Sequence, residues 1–221
     1  MCVNYQAVSA DQLVQHFQTS APAVSDWKPE IWQDYEAPIL IAHQQQRRAV
    51  MAAYSIIPKK QFAPGVKRFS TMNARAETIA SLRSFAQPWR DGQRCLVPMT
   101  GFYEPNYESG RAERWSIRRP DEAPFAVAGL FRTWSDAHGQ TTYSFTQMTI
   151  NADTHPLMQR FHRPQDEKRS LVIVLPEHYD AWLQCTDPKQ AQVFLRPFAP
   201  AFLCAHAAPQ NRRRELNHEL F

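Results

Sequence analysis

A few side chains scattered along this sequence carry its chemical potential. Cys2 directly follows the initiator Met1, and a small residue there lets an aminopeptidase remove Met1. The mature chain would then begin with a cysteine, whose α-amine and thiol sit on adjacent carbons. An α-amine titrates at about 8, so a useful fraction is an unprotonated nucleophile at neutral pH. Such a pair can attack a carbonyl twice, the amine forming a Schiff base and the thiol then closing a ring. The plainer alternative is that position 2 simply holds a small residue. In Asn73-Ala-Arg75-Ala-Glu77 a carboxamide, a guanidinium and a carboxylate stand at alternate positions. An extended backbone would put all three on one face; a polar helix entrance capped by Asn73 would use the same residues. Glu104 closes the run Arg94-Cys-Leu-Val-Pro-Met-Thr-Gly-Phe-Tyr-Glu104. Near a nucleophilic amine it could shuttle protons; otherwise it is a solvated strand end. His162 sits among Arg160, Arg163, Lys168 and Arg169, either as a proton carrier beside the same site or as a surface histidine on a basic helix.

The elements that must position these groups are short and numerous. Asp11–Gln18 reads as a helix opened by Ser9 or Asp11. Strands are expected from Pro38 to Ala42, from Arg48 to Ile57 with a stop at Pro58, and at Arg94–Pro98 and Gly101–Glu104. Further strands are expected at Arg114–Arg118, Phe125–Phe131, Tyr143–Ile150, Ser170–Leu175, Val193–Phe198 and Phe202–His206. Helices are expected over Glu77–Phe85, Pro156–Phe161 and Pro176–Leu183. There is no βαβ rhythm, internal repeat or long linker. The expectation is one α+β domain over residues 1–221, with a curved, mostly antiparallel, barrel-like β core flanked by short helices.

Composition narrows the function classes. With 221 residues and 43% apolar content a sizeable core is expected. No apolar run approaches the ~18–20 residues of a membrane span, and the N-terminus carries no secretory pattern, so a cytoplasmic protein is expected. Cys2, Cys95, Cys185 and Cys204 are scattered without a C-x-x-C pair, which argues against a zinc or redox site; no metal or cofactor is expected. A net charge of +4 and a pI near 9.0 permit a nucleic-acid partner.

Cys2, the Asn73-Ala-Arg-Ala-Glu-Thr78 run, the Arg94–Glu104 run, and His162 ahead of Lys168-Arg-Ser-Leu-Val-Ile-Val174 occur in a distinctive order. Ile56-Ile-Pro58, the block from Pro124 to Trp134, and His178–Leu183 support it. Over roughly residues 2–185 the chain resembles the SRAP family, SOS response-associated peptidases that shield abasic sites in single-stranded DNA by covalent cross-linking. The resemblance implies the SRAP fold and a role for each residue. Cys2 would be the nucleophile, Asn73 would hold its amine and the opened sugar, Glu104 would move protons, and His162 would assist ring opening. Arg75 would bind a neighbouring phosphate, with Thr149 and Arg163 as further DNA contacts. The chain departs from the family where Val3-Asn4 stands in place of Gly-Arg, Tyr54-Ser55 in place of Trp-Gly, and Pro105 in place of Trp.

A single-stranded DNA site needs basic charge and aromatic stacking faces. Lys59, Lys60, Lys67 and Arg68 precede Asn73, with Tyr54 and Phe69 as stacking candidates, and a second basic group surrounds His162. Arg118-Arg119 and Arg212–Arg214 are expected to be solvated. The expected partner is single-stranded DNA with abasic sites, bound by a monomer. Two other readings use the same residues: an N-terminal-cysteine amidohydrolase or self-processing peptidase, and a DNA-binding module without catalysis.

Overall fold

The architecture follows from strands that bury both of their faces. In the computed structural model, residues 2–23, 26–136 and 138–210 are described; Met1 and Arg212–Arg214 lie outside them. The strands run in chain order as β1 (Tyr5–Ala7), β2 (Glu30–Ile31), β3 (Glu36–His43), β4 (Gln46–Tyr54), β5 (Asn73–Arg75) and β6 (Arg94–Asn106). They continue as β7 (Glu113–Arg118), β8 (Phe125–Ser135), β9 (Thr141–Asn151), β10 (Arg169–Leu171), β11 (Ile173–Val174) and β12 (Cys204–Ala207). The α-helices are α1 (Ala10–Phe17), α2 (Ala86–Arg90), α3 (Tyr179–Gln184) and α4 (Pro188–Ala191). Pairings β8–β9, β9–β4, β4–β3, β3–β6 and β6–β8 close a five-stranded barrel. Only the β4–β9 and β5–β9 pairs among the described residues are parallel. The expected α+β fold with a barrel-like, mostly antiparallel core is therefore observed.

The two faces of the barrel strands feed two buried clusters at a period of two residues. Ile39, Ile41, Cys95, Val97 and Val127 belong to one cluster, together with Cys2, Tyr5 and Tyr54. Leu40, Leu96, Ala126 and Ala128 belong to the other, with Leu13 and Phe17 of α1, Trp89 of α2 and Trp182 of α3. A five-stranded barrel is too narrow to hold a helix, so the cluster without α-helical residues is the interior one, and Cys2 is part of it. Closure is tight at Gly129, where an added Cβ would lie 2.6 Å from the Thr146 carbonyl oxygen and 2.8 Å from Cys95 Sγ.

β6 joins the barrel to a smaller outer layer. Arg94–Met99 pairs with β8, and Gly101–Asn106 continues outward to pair with β7. β1 adds to the other edge of that outer half, with Tyr5 opposite Phe102. This arrangement carries both Cys2 and Glu104 to the same end of the barrel.

Several expected elements differ for identifiable reasons. Residues 77–85 form successive tight turns rather than a helix. The Glu77 carboxylate reaches out to Arg169 and to the Asn151 N–H, and Ser81 bonds back to the Thr78 carbonyl, both competing with helical hydrogen bonding. The expected strand at 170–175 is split: β10 pairs with β9 and β11 with β8, while Val172 bonds both Met148 and Ala128 between them. Residues 193–198 are not a strand; a 3₁₀ turn at Gln192–Phe194 opens an irregular run there. The β3–β4 hairpin turns on Gln44-Gln45 with φ of 48° and 62°, a two-residue turn made without the usual Asn or Gly.

Candidate active site

The site is built around the peptide following Cys2. Asn73 Nδ2 donates to the Cys2 carbonyl oxygen at 2.6 Å. The Tyr54 hydroxyl lies 3.3 Å from that same oxygen and 3.0 Å from Gln147 Oε1, and its single proton serves one of them at a time. Asn73 reaches this position because β5 runs parallel to β9, setting Asn73 opposite Gln147 and Arg75 opposite Thr149. Asn73 Oδ1 and Gln147 Nε2 are buried without partners among the described residues. Each is a polar atom whose burial is costly unless something else bonds it.

Glu104 and His162 complete the group. Their side chains are 3% and 6% exposed, with His162 Nε2 at 3.2 Å from Glu104 Oε2. His162 is held there by its backbone. Its φ is +66°, a left-handed conformation uncommon for a residue with a Cβ, and its N–H donates to the Pro105 carbonyl at 2.9 Å. A bridge between Phe161 and Asn106, and the Asn106 amide bonded to the Arg160 carbonyl at 3.1 Å, clamp the same turn against β6. Lys168 Nζ closes the following loop on the Arg163 carbonyl at 2.6 Å.

Burial and a neighbouring carboxylate set the electrostatics. Burial, and then the nearby Glu104 charge, push the Cys2 thiol far above the usual range, so it is neutral at physiological pH. Its Sγ donates to the Asn4 carbonyl at 3.2 Å. Burial likewise keeps the Tyr5 and Tyr54 phenols neutral. Cys2, Asn73, Glu104 and His162 are thus brought together from four separate parts of the chain. No cluster of metal-ligating side chains occurs among the described residues.

The expected DNA contacts divide into three groups: buried, ion-paired and exposed. Tyr54 is fully buried, stacked on Phe145 at 5.1 Å and edge-on to Tyr5 at 5.5 Å. It supports the Cys2 peptide and offers no face to a base. Thr149 is buried too, its hydroxyl within reach of the Ala74 carbonyl and of Arg169, so it offers no surface to DNA. Arg68 is ion-paired with Asp34, and Arg75 with Glu167 at 2.7 Å. Lys59, Lys60, Lys67 and Arg163 are exposed. The Val3-Asn4 departure acquires a structural meaning: Val3 is exposed, while Asn4 is buried and bonded to Glu30, which Arg114 pairs with at 2.7 Å.

Sequence reasoning missed Tyr5 and Gln147. The available signal was an amide in the otherwise strand-like Phe145-Thr-Gln-Met-Thr-Ile150 run, where a buried carboxamide requires a partner.

A family model described as SOS response associated peptidase (SRAP) matches residues 1–211. The chain belongs to the SRAP family. It is 32% identical over 133 residues to the abasic site processing protein YobE of Bacillus subtilis, covering 59% of this chain and 57% of that protein. It is 25% identical over 179 residues to the abasic site processing protein HMCES of Gallus gallus, covering 71% and 52%. The chain thus spans little more than half the length of these relatives. Among solved structures, a Bordetella bronchiseptica protein matches with a TM-score of 0.83 at 30% identity, covering 95% of this chain and 100% of that one. A Bacteroides thetaiotaomicron protein shares the fold at a TM-score of 0.73 and 21% identity. The fold is thus shared at low identity.

Proposed function

We propose that this SRAP protein processes abasic sites in single-stranded DNA by forming a thiazolidine cross-link through Cys2 once Met1 is removed. The observation that carries the reading is the convergence of Asn73 and the buried Glu104 and His162 side chains near the second residue of the chain. Family membership and the relatives named as abasic site processing proteins support it. A cytoplasmic setting at damaged DNA belongs to the same proposal.

The chemistry proceeds amine first. The Cys2 α-amine adds to the C1′ aldehyde of the ring-opened deoxyribose, and the carbinolamine loses water to give an imine. Glu104, paired with His162, accepts a proton from the attacking amine and returns one to the departing hydroxyl. The thiol then adds to the imine carbon, forming the C–S bond while its proton passes to nitrogen. The net change is one molecule of water lost. A neutral, buried thiol suits this order: the thiolate is the reactive form, so the unprotonated amine attacks first and the thiol adds only as its proton is taken up by the imine nitrogen. Asn73 orients the Cys2 peptide and keeps Oδ1 as an acceptor for the amine or the sugar hydroxyl. Capture of the aldehyde removes the route to β-elimination, so the strand stays intact.

DNA would approach along a groove of about 970 Å³ between the 57–69 loop and α2. Phe62, Phe69, Arg83, Arg90 and Arg132 line it. Phe69 is 52% exposed and takes the stacking role that the buried Tyr54 does not offer. Exposed aromatics beside guanidinium groups suit single-stranded nucleic acid.

The test is a denaturing gel after incubation with single-stranded DNA carrying one abasic site. A retarded covalent species that is absent with Cys2→Ala is expected. Retention seen only on a native gel would leave a DNA-binding module, and hydrolysis of an amide without DNA would leave the hydrolase reading.

A further inference from the structure

We propose that Glu167 is a built-in competitor for DNA phosphate at Arg75, which keeps affinity for undamaged strands low. This rests on the DNA reading above and concerns the cation nearest to Asn73 in sequence. Arg75 stands two residues from Asn73 on β5 and is 45% exposed, yet its Nη1 is bonded to Glu167 Oε2 at 2.7 Å. The other Glu167 oxygen is held by Arg169 Nη1 at 2.7 Å and by Asn151 Nδ2 at 3.1 Å. Arg169 is 2% exposed and also grips Glu77 through both guanidinium ends, at 2.9 and 2.8 Å.

Hydrogen bonds from Arg169 and then Asn151 hold the Glu167 carboxyl below its usual range, so it carries its charge at neutral pH. Two arginines and two glutamates therefore cancel beside the reactive pocket. A phosphate reaching Arg75 meets a fixed carboxylate already at hydrogen-bond distance. Glu167 cannot swing clear without breaking its bonds to the buried Arg169. Each contact with an ordinary phosphate is weakened in consequence. An abasic strand is spared that penalty in its lifetime on the protein, because the covalent bond at Cys2 supplies the retention.

The test uses fluorescence anisotropy with labelled oligodeoxythymidine lacking any abasic site, across a salt series. Glu167→Gln removes the charge but keeps the size. It should tighten binding about three- to tenfold at low salt and steepen the log–log salt slope by about 0.7, the increment for one more phosphate neutralised on a single strand. The gain should vanish in an Arg75→Gln background, the sign of direct coupling. Glu167→Asp, which keeps the charge but retracts it from Arg75, should fall between; it is the deciding variant if Glu167→Gln does not fold. Unchanged or weaker binding by a folded variant, or an equal gain without Arg75, would overturn the competitor role while leaving DNA binding in place. Failure of wild type and variants alike to bind would overturn both.

Discussion

At the residue scale the proposed chemistry depends on the order in which two nucleophiles act. Glu104→Gln keeps the size and shape of the side chain 3.2 Å from His162 but removes the proton acceptor. Cross-linking should slow by about 10²–10⁴, with binding to intact single strands unchanged. Asn73→Ala should also slow cross-linking, since it frees the Cys2 carbonyl from its 2.6 Å donor. Burial leaves a second signature that needs no DNA. Cys204 is exposed, whereas Cys2 and Cys95 are buried, and burial holds both buried thiols above the usual range. Iodoacetamide should therefore modify Cys204 well before Cys2 in the native protein, as peptide mapping would show, with the difference lost in denaturant. The proximity of Cys2, Asn73, Glu104 and His162 was foreseeable because their motifs are ordered and spaced. Gln147 and Tyr5 were not, since a single amide or phenol inside an apolar strand looks the same whether it faces a site or the core. Tyr54 looks like a stacking ring in the sequence, but at the end of β4 it is buried and its hydroxyl, not its ring face, meets the Cys2 peptide.

At the scale of elements, precision comes from clamps on irregular backbone. The His162 turn is fixed by Pro105, Asn106 and Lys168, none of which is near it in sequence except Lys168. The 77–85 segment is fixed by Arg169. Partial burial raises the Glu77 carboxyl, but hydrogen bonds from Arg169 outweigh this and hold it below its usual value of 4.5. Because the folded value lies below the unfolded one, this pair stabilises fully above about 4.5 and the contribution is lost as the pH falls through the folded value. Thermal unfolding followed over that acid range should show a decline that is smaller in Glu77→Gln than in wild type. Strand positions were legible because both faces are apolar, giving clear runs. Their breaks were not, since the division of 170–175 between β9 and β8 depends on neighbours that arrive from elsewhere in the chain. Glu77–Phe85 read as a helix for the same reason: nothing local shows that Glu77 is called away to Arg169.

At the scale of the molecule, the barrel sets the geometry and the outer layer delivers the chemistry. Gly129→Ala should cost about 1–3 kcal/mol by overpacking, measurable by urea denaturation, because the closest neighbours are a backbone carbonyl and a buried sulfur. The barrel class was legible from many short strands without a βαβ rhythm. Its closure through β6 and β8 was not, since pairing between strands 30 residues apart leaves no local mark. Charge is less one-sided than a net value of +4 suggests: Arg68, Arg75, Arg160 and Arg169 all have carboxylate partners. Binding of intact single strands should accordingly be salt-sensitive but weak, carried by Lys59, Lys60, Lys67 and the arginines of the α2 groove.

The most direct measurement is mass spectrometry of the protein after exposure to a short single strand with one abasic site, with removal of Met1 verified first on the intact chain. The expected result is an N-terminal peptide beginning at Cys2 that carries the oligonucleotide mass less one water, absent when Cys2 is replaced by alanine. A Met1-free protein that remains unmodified, or an adduct mapped to a lysine instead, would contradict the assignment of Cys2 as the aldehyde trap.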